Sequence, residues 1–248
     1  MPALKQTRRE RLRAEAAEEI KTIALEHMAA NGTAAVSLRA IAREMGMTAG
    51  AIYSYYDTRD DLITALVADV YNHLADMLEG SLAAAPDDPA AKVQAYGEAY
   101  WAWATANPQK FRLIYGDPAP DYQVPPGGAI AEAEHRVCGA LTSVVAGAWV
   151  HAQHLYPADG HRWSDFDPGF AALVKEAFPE LPPAGVALAM RVWGRLHGLV
   201  SLQVYGHLLT QIQDPETLYR GEIADLVRAL GLTPAPPRGR RPARRAKS

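Results

Sequence analysis

Hydrophobic positions recur every three or four residues along most of the chain, and no stretch alternates strictly between apolar and polar residues. The first pattern is typical of amphipathic helices, whereas the second would indicate half-buried strands. Clusters of Gly, Pro and Asn interrupt the helical spacing at 31–33, 85–89, 116–128 and 179–183, as expected of connecting loops. The sequence therefore predicts an all-α fold.

The predicted helices differ widely in length. They span 7–30, 37–45, 48–56, 58–84, 90–106, 108–115, 129–155, 170–178, 184–211 and 215–230. The helix at 58–84 carries one continuous apolar stripe, formed by Leu62, Leu66, Val70, Leu74 and Met77. The helix at 129–155 is uncharged from Val137 to Val150, which predicts that it is buried on nearly all sides.

Two short helices and a tight turn are predicted between Ser37 and Tyr56. Ser37 can cap the first helix, and Gly46 supplies the left-handed residue that ends it. Thr48 begins the second helix, whose inner face contains Ile52. This spacing is typical of a helix-turn-helix, in which the second helix enters the major groove of DNA.

Three motifs lie between residues 41 and 62. They are Ile41-Ala42 with Met45-Gly46-Met47, then Thr48-x-Gly50-x-Ile52-Tyr53-x-Tyr55-Tyr56, and then Thr58-Arg59-Asp60-Asp61-Leu62, in which Thr58 and Asp61 form a capping box. Together they resemble the DNA-binding domain of the TetR family of transcriptional regulators, although that family usually has His-Phe at the positions of Tyr55-Tyr56. The resemblance implies a three-helix helix-turn-helix domain at 1–57, joined to a larger helical bundle at 58–233 for dimerisation and ligand binding.

The candidate DNA-contacting residues lie in and around the second short helix. They are Arg39, Thr48, Ala49, Gly50, Ala51, Tyr53, Ser54, Tyr55 and Arg59. Thr48 at the helix start can bind a phosphate, and Gly50 lets the helix backbone approach DNA closely. Tyr53 and Tyr55 match positions that bind phosphates in the family. The alternative for each residue is a solvated surface position.

A second resemblance lies in the helix at 184–211. Trp193, His197 and Gly198 resemble the Trp-His-Gly signature of one C-terminal domain class in TetR-like regulators. That class implies a homodimer in which the last two helices pair across a two-fold axis. The candidate dimerisation residues are the small residues Gly194, Gly198 and Ser201, together with Leu226 in the last helix. The alternative is a close helix crossing within one chain.

The predicted body of the protein is rich in aromatic residues. The candidates for binding a small apolar or aromatic effector are Tyr96, Tyr100, Trp103, Tyr115, Trp149, Trp193, His197 and Tyr205. Such residues can line a cavity between helices, with a few polar groups that orient the ligand. Aromatic residues at helical spacing also form ordinary core, and this alternative stays open for each of them.

The net charge of −3 over 248 residues conceals basic ends. Residues 1–13 carry +4 and residues 234–248 carry +6, which leaves −13 for the stretch between them. We expect the first segment to contact DNA, and the second to be a disordered tail that either contacts DNA or is simply solvated. No apolar run is long enough for a transmembrane helix or a secretory signal, so the sequence predicts a cytoplasmic protein.

Catalytic and metal-binding motifs are missing from the sequence. There is no nucleophile elbow or phosphate-binding loop, so we expect no enzyme activity and no cofactor. His151-x-x-His154 would place two imidazoles on one helical face but has no third ligand at a sensible spacing, so no metal site is predicted. Cys138, the single cysteine, lies in an apolar stretch and is expected to be a buried thiol.

These observations predict a ligand-responsive repressor that binds a palindromic operator in double-stranded DNA as a homodimer. Two recognition helices would then lie in successive major grooves, roughly 34–36 Å apart. Two alternatives stay open at this point. One is an orphan DNA-binding protein whose core is filled and which has no effector, and the other is a helical enzyme.

Overall fold

The computed structural model describes residues 7–116, 122–156 and 160–233. Within these ranges the chain forms ten α-helices and contains no β-strand, which confirms the predicted fold class. The helices are α1 (Arg8–Asn31), α2 (Leu38–Glu44), α3 (Ala49–Ile52), α4 (Arg59–Ala84), α5 (Pro89–Ala106), α6 (Pro108–Tyr115), α7 (Gly128–Ala152), α8 (Pro168–Ala177), α9 (Pro183–Val204) and α10 (Pro215–Ala229). None of these helices is both long and apolar enough to cross a membrane. The predicted basic tail at 234–248 lies outside the described residues.

Helices α7 and α9 end earlier than their sequence patterns predict. Helix α9 ends at Val204 rather than near 211, because the chain turns at Gly206, whose φ is +80°. Helix α7 ends at Ala152, so His154 lies in the turn that follows and does not share a helical face with His151. Local turn geometry therefore overrides an apolar periodicity that continues past the helix end.

Capping boxes begin helices α1 and α4. At α1 the Thr7 amide donates to Glu10 Oε2 over 2.7 Å, and the Glu10 amide donates to Thr7 Oγ1 over 3.3 Å. At α4 the predicted box is confirmed: the Thr58 amide donates to Asp61 Oδ2 and the Asp61 amide to Thr58 Oγ1, both over 3.0 Å. Each box satisfies amide groups that have no partner inside the helix.

The chain divides into two compact units, of which the first comprises the described residues of 1–80, 99–140 and 200–211. Its buried side chains include Ile20, Ile41, Ile52, Leu62 and Leu74, each with no exposed surface. The predicted stripe on α4 is buried from Leu62 to Leu74, but Met77 is 44% exposed and Leu78 takes the next buried position. The step of four residues from Leu74 to Leu78 keeps the same helical face inward.

Helix α4 is held by polar contacts as well as by its apolar face. Arg136 of α7 donates to Asn72 over 2.7 Å, and its Nη2 lies 2.6 Å from carboxylate oxygens of both Asp76 and Glu79. The buried Trp103 of α5 donates from Nε1 to His73 Nδ1 over 3.0 Å. Each contact fixes a point along α4 relative to a neighbouring helix of the same unit.

The second unit comprises the described residues of 81–98, 141–199 and 212–233. Gly97 of α5 faces α10 so closely that a Cβ at residue 97 would stand 2.7 Å from Ile223 Cδ1. A separate apolar cluster gathers around Val174, Leu181 and Val186. These contacts leave no room for a larger side chain at residue 97 unless Ile223 moves.

Helix α7 is amphipathic rather than buried on all sides. Val137, Leu141 and Val145 are buried, whereas Val150 is 65% exposed and Cys138 is exposed. The prediction of nearly complete burial was therefore wrong. Cys138 is exposed as a residue, although burial still raises the pKa of its thiol to about 11. The absence of charged residues from 137 to 150 did not indicate burial on all sides, because small and apolar residues also occupy the exposed face of this helix.

Candidate nucleic-acid interface

The turn between α2 and α3 has the geometry that its sequence predicts. Ser37 Oγ accepts from the Ala40 amide over 3.4 Å and so caps α2. Gly46 has a φ of +66°, and the Met47 amide returns to the Ala42 carbonyl over 2.8 Å. A side chain at residue 46 would strain this left-handed backbone, so glycine lets α2 end abruptly and α3 begin three residues later, at Ala49.

Helix α3 presents one face to solvent. Ile52 is fully buried, while Thr48, Ala49 and Gly50 are exposed, and nothing lies within 4 Å of the position that a Cβ at Gly50 would take. Thr48 Oγ1 accepts from the Ala51 amide over 3.2 Å, which leaves the hydroxyl hydrogen able to reach a phosphate. The open backbone at Gly50 and the donor at Thr48 suit a close approach to DNA.

The segment after α3 differs in part from its prediction. The helix itself ends at Ile52 rather than at 56, although amide hydrogen bonds from Tyr55 and Tyr56 to the Ile52 carbonyl continue the turn. Tyr53 is 41% exposed. Ser54 Oγ donates to the Ala51 carbonyl over 2.7 Å, so this hydroxyl can accept from a base edge but its own hydrogen is engaged.

The remaining candidates lie around this surface with different exposures. Arg39 on α2 is exposed, and Ala51 and Tyr55 are half-buried. Arg59 at the start of α4 is also half-buried, and its Nη1 lies 3.4 Å from Asp60 Oδ1. The structure thus places the predicted DNA-contacting residues on α2, on α3 and the turn that follows it, and at the start of α4.

Arg13 contacts the candidate interface, and the sequence pattern did not distinguish it from the rest of the basic N-terminus. Its Nη2 donates to the Ser54 carbonyl over 2.6 Å, and its guanidinium carbon lies 5.2 Å from the centre of the Tyr55 ring. Both contacts fix the turn that follows α3. Because 41 residues separate Arg13 from Ser54, no local pattern could signal the contact.

Replacing Arg13 with alanine is expected to weaken binding to a specific duplex about tenfold, or about 1.4 kcal/mol, because the turn with Tyr53 and Tyr55 loses its anchor. The slope of log affinity against log salt should stay unchanged, since Arg13 is engaged within the protein. Arg9→Ala is the matched control, because a residue that contacts a phosphate should lower that slope by about one unit. The anchoring role would be contradicted if Arg13→Ala made the affinity less dependent on salt while the preference for the specific duplex over other sequences stayed the same.

The candidate effector-binding residues occupy several different surroundings. Tyr96, Tyr100 and Trp103 are buried, with at most 2% of each exposed. Tyr115 and Tyr205 line a groove of about 710 Å³ in the first unit, and Trp149 lines a cavity of about 430 Å³ in the second. Trp193 and His197 contact each other with ring centres 5.2 Å apart, and burial lowers the pKa of His197.

The candidate dimerisation residues also differ in how exposed they are. Gly194 and Gly198 are exposed on α9, and nothing lies within 4 Å of where a Cβ on either would stand. Ser201 is half-buried, whereas Leu226 is only 1% exposed and packs inside its own chain. Open glycines suit an approach by another helix, but Leu226 has no free surface to offer it.

His151 and His154 are both exposed at the end of α7. In the part of the chain that the structure describes, no three His, Cys, Asp or Glu side chains converge closely enough to hold a metal ion. The helix end at Ala152 leaves His154 outside the helix that carries His151. The helical pairing on which a metal site would depend is therefore not formed.

Two known protein families match this chain, one near its N-terminus and one over its C-terminal part. Residues 22–66 match the family described as bacterial regulatory proteins, tetR family, and residues 93–226 match a family described as tetracyclin repressor-like, C-terminal domain. An HTH-type transcriptional regulator of Mycobacterium bovis is 32% identical over 229 residues, which cover 90% of this chain and 93% of that protein. The first match contains α2 and α3 and the turn between them.

Solved structures agree with these matches. The crystal structure of a protein described as regulatory, SCO4313, is 32% identical and covers 89% of this chain and 99% of its own, with a TM-score of 0.69. A bacterial regulatory protein of the tetR family from Rhodococcus RHA1 is 18% identical, covers 88% of this chain and 98% of its own, and has a TM-score of 0.58. The latter likeness concerns the fold alone.

Proposed function

This chain belongs to the TetR family of bacterial regulatory proteins and is a DNA-binding transcriptional regulator, and we propose that it is a ligand-responsive repressor that binds a palindromic operator as a homodimer. The observation that carries the proposal is the exposed face of α3, which presents Thr48, Ala49 and Gly50 to solvent while Ile52 anchors the helix from its buried side. The family is one of regulators rather than enzymes, so a helical enzyme is no longer a competing interpretation. Membership of the Trp-His-Gly class stays a prediction.

We propose that the candidate DNA-contacting residues have different roles in binding. Thr48 and Tyr53 bind phosphates and set the position of α3 in the major groove. Ala49 and Ala51 contact thymine methyl groups, and Ser54 accepts a hydrogen bond from a base edge. Exposure of Thr48, Ala49 and Tyr53 supports these roles, as does the engaged hydrogen of Ser54.

Regulators of this family bind DNA and act as dimers. We propose that the exposed face of α9 forms the subunit contact, with Gly194 and Gly198 at its centre. Met190, which is 45% exposed, lies one turn before Gly194 on the same face, and Trp193, which is 39% exposed, lies at the edge of that face; both would supply apolar area. Leu226 is left out of this interface because it already packs inside its own chain.

Replacing Gly198 with glutamate is expected to weaken dimerisation at least about 100-fold, because two carboxylates would face each other across the symmetry axis in an apolar contact. The fold of one chain should stay intact, since a Cβ at this position meets nothing within 4 Å. Sedimentation equilibrium measures the monomer–dimer constant. Gly80→Glu is the matched control, as Gly80 is equally open on α4. Unchanged dimerisation of Gly198→Glu would place the subunit contact elsewhere.

We propose that the effector acts on DNA binding through α4. This helix begins at the capping box next to the DNA-reading segment, and Arg136 and Trp103 hold it farther along. An effector shifts the equilibrium only if it binds the DNA-bound and released arrangements unequally. Equal spacing of the two recognition helices in the liganded and DNA-bound states would exclude this mechanism.

The same proposal assigns residues 1–57 to DNA reading, 58–233 to regulation and dimerisation, and 234–248 to a basic tail. A cytoplasmic location follows from it, because the operator is chromosomal DNA. The match of 93–226 to a tetracyclin repressor-like domain supports a repressor rather than an activator.

Selection of bound duplexes from a random DNA pool, with purified protein at physiological salt, tests the proposal directly. We expect enrichment of a two-fold symmetric motif, and we expect Tyr53→Ala to lose it. Recovery of unrelated sequences with steeply salt-dependent affinity would mean that the basic ends do the binding without reading sequence. Enrichment of a single asymmetric half-site would contradict the homodimer.

A further inference from the structure

A groove of about 710 Å³ lies between the end of α1 and the outer side of α6. Met28 comes from α1, Leu113 and Tyr115 come from α6, and Tyr205 follows α9; together they supply apolar and aromatic walls. Arg112 of α6 contributes a cationic group to the same groove. This volume is in the range that small-molecule sites occupy, roughly 300–1,000 Å³.

Arg112 is held in a defined position. Its Nη1 donates to Gln109 Oε1 over 3.0 Å, and its Nη2 donates to the Val204 carbonyl over 2.7 Å. Its guanidinium carbon also lies 5.7 Å from the centre of the Tyr205 ring. An arginine ordered in this way loses little side-chain entropy when it binds a further partner.

The charge of Arg112 has no carboxylate partner among the residues that the structure describes, since both of its hydrogen-bond acceptors are neutral. Arg136, Arg195 and Arg228 differ in this respect, because each is paired with an acidic side chain. The two bonds that Arg112 makes leave further N–H donors of its guanidinium for a ligand.

We propose that this groove binds a small amphipathic carboxylate, whose anionic end pairs with Arg112 and whose apolar or aromatic part lies against Met28, Leu113 and Tyr205. A carboxylate matches the fork of guanidinium donors better than a neutral or cationic group does. Gly116 helps to shape the site, because a Cβ there would lie too close to the Arg112 carbonyl oxygen and would stand 2.9 Å from Tyr205 Oη.

This inference rests on the proposed effector response, and it specifies the chemical class of the effector and the site where it binds. A ligand in this groove touches α1, which packs beside α2, and α6, which packs against α1. It can therefore bind two arrangements of α1 and α6 with different affinities, as an effector must. The carboxylate class distinguishes this site from a purely apolar cavity among the body aromatics.

The test compares 2-naphthoate with 2-naphthamide, which have the same ring system but differ in charge. Binding is followed by NMR of protein labelled with ¹³C at the methionine methyl groups, where Met28→Leu identifies the signal from the groove. We expect saturable binding of 2-naphthoate that shifts the Met28 signal, and at least about tenfold weaker binding of 2-naphthamide. Arg112→Gln should bind both compounds equally weakly, while Arg220→Gln, at an exposed position of α10, should behave as the parent protein.

Two outcomes would overturn the site: no saturable shift of Met28, or equal affinities of 2-naphthoate for the parent and for Arg112→Gln. Leu113→Trp provides a second variant, which fills the groove but keeps Arg112, and it should abolish the shift as well. Operator binding of each preparation is measured in parallel without any ligand. Intact binding to a palindromic duplex together with no naphthoate site would reject the groove alone, whereas loss of palindromic binding by the parent protein would reject the proposed function.

Discussion

Replacing Trp103 with alanine is expected to lower the free energy of unfolding by about 3–5 kcal/mol, the range for removing a large aromatic side chain from a filled core. Only 1% of Trp103 is exposed, and its Nε1 donates to His73 Nδ1. The variant therefore leaves a cavity and also removes one of the contacts that hold α4. Equilibrium unfolding in urea at fixed protein concentration measures the loss.

Trp103→Phe separates the two contributions, because it keeps most of the apolar volume but has no N–H group. We expect a loss of about 1–2 kcal/mol, from the hydrogen bond and the smaller ring. The result also decides between the two interpretations of the body aromatics. A loss below about 1 kcal/mol in Trp103→Ala would mean that Trp103 borders an empty effector cavity rather than filled core.

Replacing Gly50 with glutamate is expected to weaken operator binding by about 100-fold, or about 2.7 kcal/mol, because a carboxylate on the exposed face of α3 would meet DNA phosphates. Thermal stability should not fall, since a Cβ at Gly50 meets nothing within 4 Å and glycine is itself unfavourable in a helix. Fluorescence anisotropy with the selected duplex measures the affinity.

The control for this variant is again Gly80→Glu, which adds the same charge at an equally open helical glycine on α4. Its affinity for the duplex should change by much less, because any long-range repulsion is screened beyond about 10 Å at moderate salt. Equal losses in both variants would mean that net charge, and not contact by α3, governs binding. No loss in either would show that α3 does not face DNA.

Features set by residues close in sequence could be predicted well. The capping box of Thr58 and Asp61, the left-handed Gly46 and the buried Ile52 depend on residues at most a few positions apart. Their chemistry is local, so spacing alone indicates it. The DNA-reading segment was accessible from sequence for this reason.

Features that join distant segments could not be predicted in the same way. Arg13 looked like any other residue of a basic run, yet it donates to the Ser54 carbonyl. Arg112 and Tyr205 have no sequence signal that places them at one groove. Val150 and Met77 were predicted to be buried but are exposed, because an apolar side chain does not by itself show which face of a helix packs inward.

The contact between Gly97 and Ile223 has a consequence for how this protein can diverge among its relatives. A methyl group at residue 97 would stand 2.7 Å from Ile223 Cδ1 and 2.8 Å from its Cγ1. Alanine at residue 97 thus requires the Ile223 side chain to move or to be replaced by a smaller one, so this substitution is easier once residue 223 has a shorter side chain. Homologues should show the two positions covarying, with glycine opposite isoleucine or alanine opposite a shorter side chain.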